Sequence, residues 1–167
     1  MEIMLVEDSL LDARVTIEAL KRCAIHHRLT LFRDGAEAIR FLHREGVFKH
    51  APRPDLILLD LLLPDMTGVE FLRHVRDDEA LAEIPVVVLT SSEAEADQEK
   101  CEALGVNSYI RKPFHEEKFL AVVRHVKELA LALAAATVPS PSTPQQPPVT
   151  SSMPSFNLFG GASGSTE

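Results

Sequence analysis

The fold is decided by a short apolar run that ends in a carboxylate, Leu56-Ile57-Leu58-Leu59-Asp60, and by the turn sequence at residues 63–68, LPDMTG, that follows it. Four consecutive apolar residues between polar, proline-containing segments are typical of a strand buried on both faces of a parallel sheet. A charge at the end of such a strand is costly unless it has a partner or a task. Because ligands bind at the carboxyl ends of strands in open α/β sheets, Asp60 is a candidate site residue.

Three other apolar runs also end beside polar side chains. Parallel strands bring their carboxyl ends to the same edge of a sheet, so these side chains should meet Asp60. The sequence therefore predicts a site with three carboxylates, one hydroxyl and one amine. The runs are Ile3–Val6, followed by Glu7 and Asp8, Val86–Leu89, followed by Thr90, and Tyr109-Ile110, followed closely by Lys112.

Amphipathic stretches alternate with apolar runs about five times along the chain. This alternation predicts an α/β domain with a doubly wound, five-stranded parallel sheet, the flavodoxin-like (βα)5 arrangement with strand order 2-1-3-4-5. That order makes strands 1 and 3 neighbours. Helix signals support it: Asp34 with Glu37 predicts an N-cap, Gly105 predicts the end of the fourth helix, and the fifth helix is expected from Phe114 to about Ala136.

Composition excludes several classes of protein. The chain has 167 residues, a net charge of −8 and a pI of about 5.4, which disfavours nucleic-acid binding. No apolar run reaches the roughly 18 residues of a membrane span, so we expect a cytoplasmic protein with no membrane partner. The two cysteines, Cys23 and Cys101, lie far apart without CxxC spacing, and we expect reduced, packed thiols.

The composition changes after the fifth predicted helix. No charged side chain lies between Glu128 and Glu167, and six of the 11 prolines fall from Pro139 onward. Such a segment buries too little apolar area to offset its ordering entropy. The sequence therefore predicts a folded domain at residues 1–136 and a disordered tail, rich in Pro, Ser, Thr and Gly, at residues 137–167.

Taken together, these motifs resemble the receiver domain of the response regulators of two-component systems. The resemblance covers about residues 1–130, with every motif in the order and at the spacing of that family. The loop at residues 46–54 and the run at residues 53–60 are similar to the branch that works with phytochrome-type sensor kinases. The matching motifs are Glu7-Asp8, Asp60, the turn at residues 63–68, Thr90-Ser91, Tyr109 and Lys112-Pro113-Phe114.

The resemblance implies a magnesium site. Three carboxylates close together cannot all stay ionised without a cation, and Mg²⁺ is a hard ion that takes one or two carboxylates with waters and phosphate oxygens. By resemblance, Asp8, Asp60 and the Leu62 backbone carbonyl are the ligands. Glu7 stands where the family usually has Asp, and it is expected to hold a metal-bound water.

The resemblance also implies roles for the remaining groups. Asp60 would be the phosphoacceptor, while Lys112, Thr90 and Ser91 would bind the phosphoryl group. Tyr109 would turn inward when Thr90 moves, which would change the face built from the fourth helix, fifth strand and fifth helix. A cis peptide bond is expected before Pro113.

The function implied is that of a single-domain response regulator, which accepts a phosphoryl group on Asp60 from a sensor histidine kinase in a Mg²⁺-dependent reaction. The narrower resemblance implies a kinase of the phytochrome type. The regulator would signal by conformational change or phosphorelay, and it would be no enzyme beyond its own phosphorylation and dephosphorylation. A receiver fold used only for protein contact is the alternative, although such a chain would be expected to lack Asp60 or Lys112. A haloacid-dehalogenase phosphatase needs a second Asp at Leu62, and a flavodoxin needs a phosphate loop where Glu7 and Asp8 lie.

The predicted fifth helix is longer than a receiver needs. Its last turns, Leu129-Ala130-Leu131-Ala132-Leu133-Ala134, are apolar on all sides, whereas covering the sheet needs only one side. Since two-fold contacts are the commonest oligomer interfaces, we expect a homodimer through this helix. The alternative is that the proline-rich tail covers the same residues.

Overall fold

The computed structural model describes residues 1–22, 26–91, 95–112, 117, 120–126 and 128. Within them, strands and helices alternate as the sequence predicts, and a 3₁₀ turn at Gly46–Phe48 interrupts the predicted loop before the third strand. The elements in chain order are β1 (Glu2–Val6), α1 (Leu10–Arg22), β2 (Arg28–Phe32), α2 (Gly35–Leu42), β3 (Leu56–Asp60), α3 (Gly68–Asp77), β4 (Val86–Thr90), α4 (Glu95–Ala103), β5 (Ser108–Arg111) and α5, which includes residues 120–126.

The five strands form one parallel sheet in the order β2-β1-β3-β4-β5, which confirms the predicted topology. Chain connections run outward from β1 in both directions, so the switch point lies between β1 and β3. Val6 pairs with Leu59 across these two strands. The residues that follow Val6 therefore lie next to Asp60, at the edge where α/β proteins bind ligands.

Two helical layers cover the sheet, because alternate residues of the central strands face opposite sides. Ile57 and Leu59 pack on the side of α2, α3 and α4, where Phe71 is fully buried. Leu56 and Leu58 pack on the side of α1 and α5. Burial of such a side chain contributes about 1.5–3 kcal/mol, so both layers hold the strand ends in register. The α1 and α5 contacts come from Ala13, Ala19, Leu20, Val123 and Val126.

The loop after β3 is tied to the N-terminus of α2. Asp34 is the N-cap of α2, as predicted, and its Oδ1 accepts a hydrogen bond from the Glu37 N–H at 2.7 Å. Asp65 accepts from the N–H groups of Gly35 at 2.9 Å and Ala36 at 2.8 Å. Burial works to raise the pKa of Asp65, but these N–H donors outweigh it and hold the pKa below its usual range.

Close packing at Gly68 fixes the path of the same loop. A Cβ at Gly68 would lie 2.6 Å from Leu61 Cα and 2.7 Å from the Asp60 carbonyl oxygen, so no larger residue fits there. Thr67 begins α3 with a capping box, in which its side chain and that of Glu70 exchange hydrogen bonds with each other's backbone N–H. The loop that follows Asp60 is therefore held in place.

Several expectations lie outside the described residues. These are the environment of Cys23, the capping box at Ser92–Glu95, the cis bond before Pro113, the last turns of the fifth helix and the tail at residues 137–167. Gly105 ends the α4 segment as predicted, and its φ of +68° explains the preference for glycine there.

Candidate functional site

Four strand ends deliver the predicted side chains to one edge of the sheet. Glu7 and Asp8 follow β1, Asp60 ends β3, Thr90 ends β4, and Lys112 follows β5. The backbone N–H of Lys112 donates to the Thr90 carbonyl at 2.8 Å, which continues the pairing of β4 and β5. The lysine is therefore directed to the same edge as the acids.

Three carboxylates meet at this edge, as predicted. Glu7, Asp8 and Asp60 each offer one oxygen, and these oxygens lie within 4.8 Å of one another. Glu7 is fully buried and Asp60 is nearly so, whereas Asp8 is half-buried. Charge repulsion among buried carboxylates is severe, so the cluster requires cations.

Lys112 supplies one positive charge. Its Nζ donates to Glu7 Oε2 at 2.5 Å, to Asp60 Oδ2 at 2.6 Å and to Asp12 Oδ2 at 3.1 Å. An ammonium group has three donors, so all of them are used. Burial opposes the charge on Lys112, but the hydrogen bonds to Asp60 and Glu7 outweigh it and raise the pKa of the amine.

The surroundings of Glu7 in the cluster raise its pKa. Burial and the nearby Asp60 charge raise its pKa from 4.5 to about 7, although Lys112 and the Ser9 N–H both favour the charged form. The Ser9 N–H reaches Glu7 Oε1 at 3.1 Å. Near neutral pH this carboxyl therefore holds a proton for part of the time, and a bound cation would release it.

The two oxygens of Asp60 have different partners. Oδ1 accepts the backbone N–H of Leu62 at 2.9 Å, while Oδ2 accepts Lys112 Nζ. These two contacts fix the plane of the carboxylate. The Leu62 side chain is 58% exposed, so an apolar group lies in solvent two residues beyond the acid.

The predicted switch residues are partly brought together. Thr90 is buried at the end of β4, and Ser91 is exposed beside it. The Tyr109 hydroxyl lies at α4, where it donates to the carbonyls of Asp97 at 3.3 Å and Gln98 at 3.4 Å. Burial, followed by contact with the Cys101 thiol, raises the pKa of Tyr109.

Asp12 is a site residue that the sequence analysis missed. It lies in the first turn of α1, and its carboxylate contacts Lys112. The available signal was its position three residues after Ser9, because a Ser three residues before an acid is a typical start of a helix and places that acid in the first turn. Arg33 was also missed: its guanidinium donates to the Asp8 carbonyl at 3.1 and 3.3 Å.

The donor set fits a small divalent cation. Oxygens bound to Mg²⁺ at about 2.1 Å in octahedral geometry lie roughly 3–4 Å apart, which is compatible with the spacing of this cluster. When Glu7 is ionised, the three clustered carboxylates and the Lys112 ammonium have a formal charge of −2, which one such ion would neutralise, and Asp12 lies outside this cluster. Carboxylate oxygens are also the ligands that Mg²⁺ prefers.

A five-stranded parallel sheet with this acid cluster and lysine at its switch point defines a receiver domain. Comparison with known proteins agrees: the family of the response regulator receiver domain matches residues 3–124, and the chain belongs to it. The chain is 41% identical over 129 residues to the response regulator Rcp1 of Synechocystis sp., which covers 77% of this chain and 88% of that protein.

Solved structures show the same similarity. The phosphorylated cyanobacterial phytochrome response regulator RcpA is 41% identical, with a TM-score of 0.68, over 79% of this chain and 94% of that one. The Mn²⁺-bound form of Rcp1 is 36% identical, with a TM-score of 0.65, over 86% and 98% of the two chains. A single receiver domain thus accounts for nearly the whole length of these relatives.

None of the helices in the described part of the chain has the length and apolar character that crossing a membrane requires.

Proposed function

We propose that Asp60 is the phosphoacceptor of this response regulator and that a sensor histidine kinase is the donor. The observation that carries the proposal is the contact of Lys112 with Asp60 Oδ2 inside a cluster of three carboxylates. A structural acid at a strand end needs neither a buried lysine nor two further acids. A nucleophile that must approach an anionic phosphoryl group needs both a cation site and an ammonium.

The reaction is a transfer between a nitrogen and an oxygen. An oxygen of Asp60 forms a bond to phosphorus as the P–N bond of the donor phosphohistidine breaks, and the electron pair of that bond stays on the imidazole. Lys112 donates hydrogen bonds to the phosphoryl oxygens, and the hydroxyls of Thr90, the last residue of β4, and of Ser91 would assist. The chain thus promotes its own phosphorylation and dephosphorylation and no other reaction.

Magnesium is the cation of this proposal. Asp8, Asp60 and the Leu62 backbone carbonyl would bind it directly, and Glu7 would hold one of its waters. When bound, Mg²⁺ supplies positive charge that lets phosphate oxygens approach the carboxylates. Rcp1 has been solved in a Mn²⁺-bound form, and Mn²⁺ also prefers oxygen ligands, which supports an oxygen-bound divalent cation here.

We infer a kinase of the phytochrome type, since the similar protein RcpA is a phytochrome response regulator. Phosphorylation would draw Thr90 toward the phosphoryl group and let Tyr109 leave α4. The surface of α4, β5 and α5 would then carry the signal to a partner protein or a relay. The alternative, an interaction module that works without phosphorylation, is not favoured, because Asp60, Asp8 and Lys112 are all present.

A direct test is phosphorylation by acetyl phosphate with Mg²⁺. The chain should gain one phosphoryl group that is stable in acid and labile in base, and peptide mapping should locate it at Asp60. Asp60→Asn should remove it, and EDTA should prevent it in the parent protein. Labelling of Asp60→Asn at the parent level would refute the assignment.

Further parts of the proposal concern assembly and organisation. We propose that residues 1–136 form the receiver, that residues 137–167 are a disordered tail, and that two chains pair through the fifth helix in the cytoplasm, without nucleic acid or membrane partners. The chain truncated after Ala136 should remain dimeric in light scattering, while Leu129→Glu with Leu133→Glu should give monomers. A monomeric truncated chain at micromolar concentration would argue against pairing through this helix.

A further inference from the structure

A fourth carboxylate, Asp12, reaches the phosphorylation site from α1. Its Oδ2 lies 3.1 Å from Lys112 Nζ, and its side chain is 41% exposed, whereas that of Lys112 is only 9% exposed. Ser9 fixes the first turn of α1, because its hydroxyl accepts from the Asp12 N–H at 3.3 Å and its carbonyl accepts from the Ala13 N–H at 2.9 Å. Asp12 is therefore held at the solvent side of the lysine.

The three acceptors of Lys112 differ in what the reaction requires of them. Glu7 and Asp60 belong to the carboxylate cluster of the cation site, and Asp60 is also the proposed nucleophile. Lys112 contacts Oδ2 of the Asp60 carboxylate, while Oδ1 of the same carboxylate accepts the backbone N–H of Leu62. When Asp60 forms its bond to phosphorus, the hydrogen bonds of Lys112 to Asp60 and Glu7 must be given up or shared.

Of the three acceptors, Asp12 alone lies outside both the cation cluster and the bond-forming atom. Its contact with Lys112 can therefore persist while the other two change. A lysine chain has four rotatable bonds, and an ammonium without an anchor loses its orientation. An anchor at the solvent side leaves the two remaining N–H donors free to turn toward phosphoryl oxygens.

We propose that Asp12 is a positioning residue, which holds the Lys112 ammonium at the mouth of the site throughout phosphoryl transfer to Asp60. The inference rests on the proposed function of Asp60 and adds a residue to it. Because Asp12 is partly exposed, its effect is modest: Asp12→Asn should slow phosphorylation about two- to five-fold, in line with a partly screened ion pair.

A double-mutant cycle separates positioning from a general charge effect. The rate of phosphorylation by acetyl phosphate at saturating Mg²⁺ is measured for the parent, Asp12→Asn, Lys112→Met and the double variant. Slowing by Asp12→Asn should be present when Lys112 is present and absent when it is replaced. Equal slowing in both backgrounds, or no slowing in the parent, overturns the proposal. Glu18→Gln, on the exposed side of α1, is the matched control and should leave the rate unchanged.

A second measurement needs neither metal nor phosphoryl group. In the metal-free protein labelled with ¹⁵N-lysine, the buried Lys112 ammonium should give a slowly exchanging NMR signal, assigned by its loss in Lys112→Met. Asp12→Asn should shift or broaden this signal, and Glu18→Gln should not. An unchanged signal in Asp12→Asn overturns the proposal. If the parent accepts no phosphoryl group at Asp60, the proposed function fails, while this measurement still reports on the Asp12 contact.

Discussion

Leu62 donates its backbone N–H to Asp60 Oδ1 at 2.9 Å, while its own side chain is 58% exposed. The residue therefore orients the acid through its backbone and presents an apolar group to the water that surrounds the site. Hydrolysis of an acyl phosphate at Asp60 needs a water in line with the P–O bond. The Leu62 side chain can offer that water no hydrogen bond.

The first prediction follows from this relationship: Leu62→Asn should speed dephosphorylation. The amide keeps the backbone contact to Asp60 and adds a donor and an acceptor that orient water, which should raise the rate roughly three- to ten-fold. Loss of radiolabel from phosphorylated protein in excess Mg²⁺ measures it. Leu62→Met, which stays apolar, is the control and should retain the slow rate. An unchanged rate in Leu62→Asn would show that another group controls access of water.

The second prediction concerns Glu7 and pH. The pKa of Glu7 is about 7 in the folded protein and 4.5 ordinarily. Between these two pH values the folded state therefore binds a proton that the unfolded state has released. The stability that Glu7 contributes is thus complete below pH 4.5 and is lost as pH rises through 7. In EDTA, the unfolding free energy of the parent relative to Glu7→Gln should fall by about 2 kcal/mol between pH 5 and pH 8.

Urea titrations of both proteins across this pH range measure the difference, and subtraction removes the contribution of groups common to both. Adding Mg²⁺ should flatten the profile, because a cation favours the ionised carboxyl. A difference that is constant with pH in EDTA would mean that Glu7 keeps an ordinary pKa in the fold.

Much of the site could be predicted because strand periodicity determines both the sheet and the edge where each strand ends. Glu7, Asp8, Asp60, Thr90 and Lys112 all follow or end apolar runs, so topology alone brings them together. The capping box of α3 was also present in the sequence, where Thr67 and Glu70 have the required spacing, but it lies within a segment that reads as a turn.

Other features depend on how helices are rotated against the sheet. Asp12 contacts Lys112 only because the buried face of α1 runs through Ala13, Thr16 and Leu20, which turns Leu10 outward to 61% exposure. In the sequence, Leu10, Ala13, Ile17 and Leu20 have helical spacing, and this spacing alone would place Leu10 on the buried face. The contact of the Tyr109 hydroxyl with α4 likewise depends on packing between elements, and no local sequence pattern predicts it.

The third prediction concerns Thr16, which is fully buried on α1. Its Oγ1 has no hydrogen-bond partner in the described part of the chain. Burial of such a hydroxyl costs free energy, whereas a methyl group of the same shape gains from burial. Thr16→Val should therefore raise the free energy of unfolding by about 0.5–1.5 kcal/mol. Thr16→Ser, which keeps the hydroxyl and removes the methyl, should lower it. Destabilisation by Val in urea unfolding would reveal a partner for the hydroxyl.

The last prediction concerns Arg76, whose half-buried guanidinium joins α3 to the loop before β4 and to the segment after α4. It donates to the carbonyls of Leu104 at 3.0 Å and Gly105 at 3.1 Å after α4, and to those of Ala82 at 2.9 Å and Ile84 at 3.0 Å before β4. Burial lowers the pKa of Arg76, but a guanidinium remains charged, so these four carbonyls balance its desolvation.

A lysine at this position keeps the charge but cannot reach four carbonyls in a fork, and it leaves partly buried acceptors unpaired. Arg76→Lys should therefore lower the free energy of unfolding by about 2–4 kcal/mol. Arg73→Lys, on the exposed face of the same helix, is the matched control and should change it by less than about 0.5 kcal/mol. Urea unfolding followed by circular dichroism distinguishes the two. Equal, small effects of the two variants would mean that water replaces the guanidinium at these carbonyls. Arg76 would then not be what holds the end of α4 and the start of β4 in place.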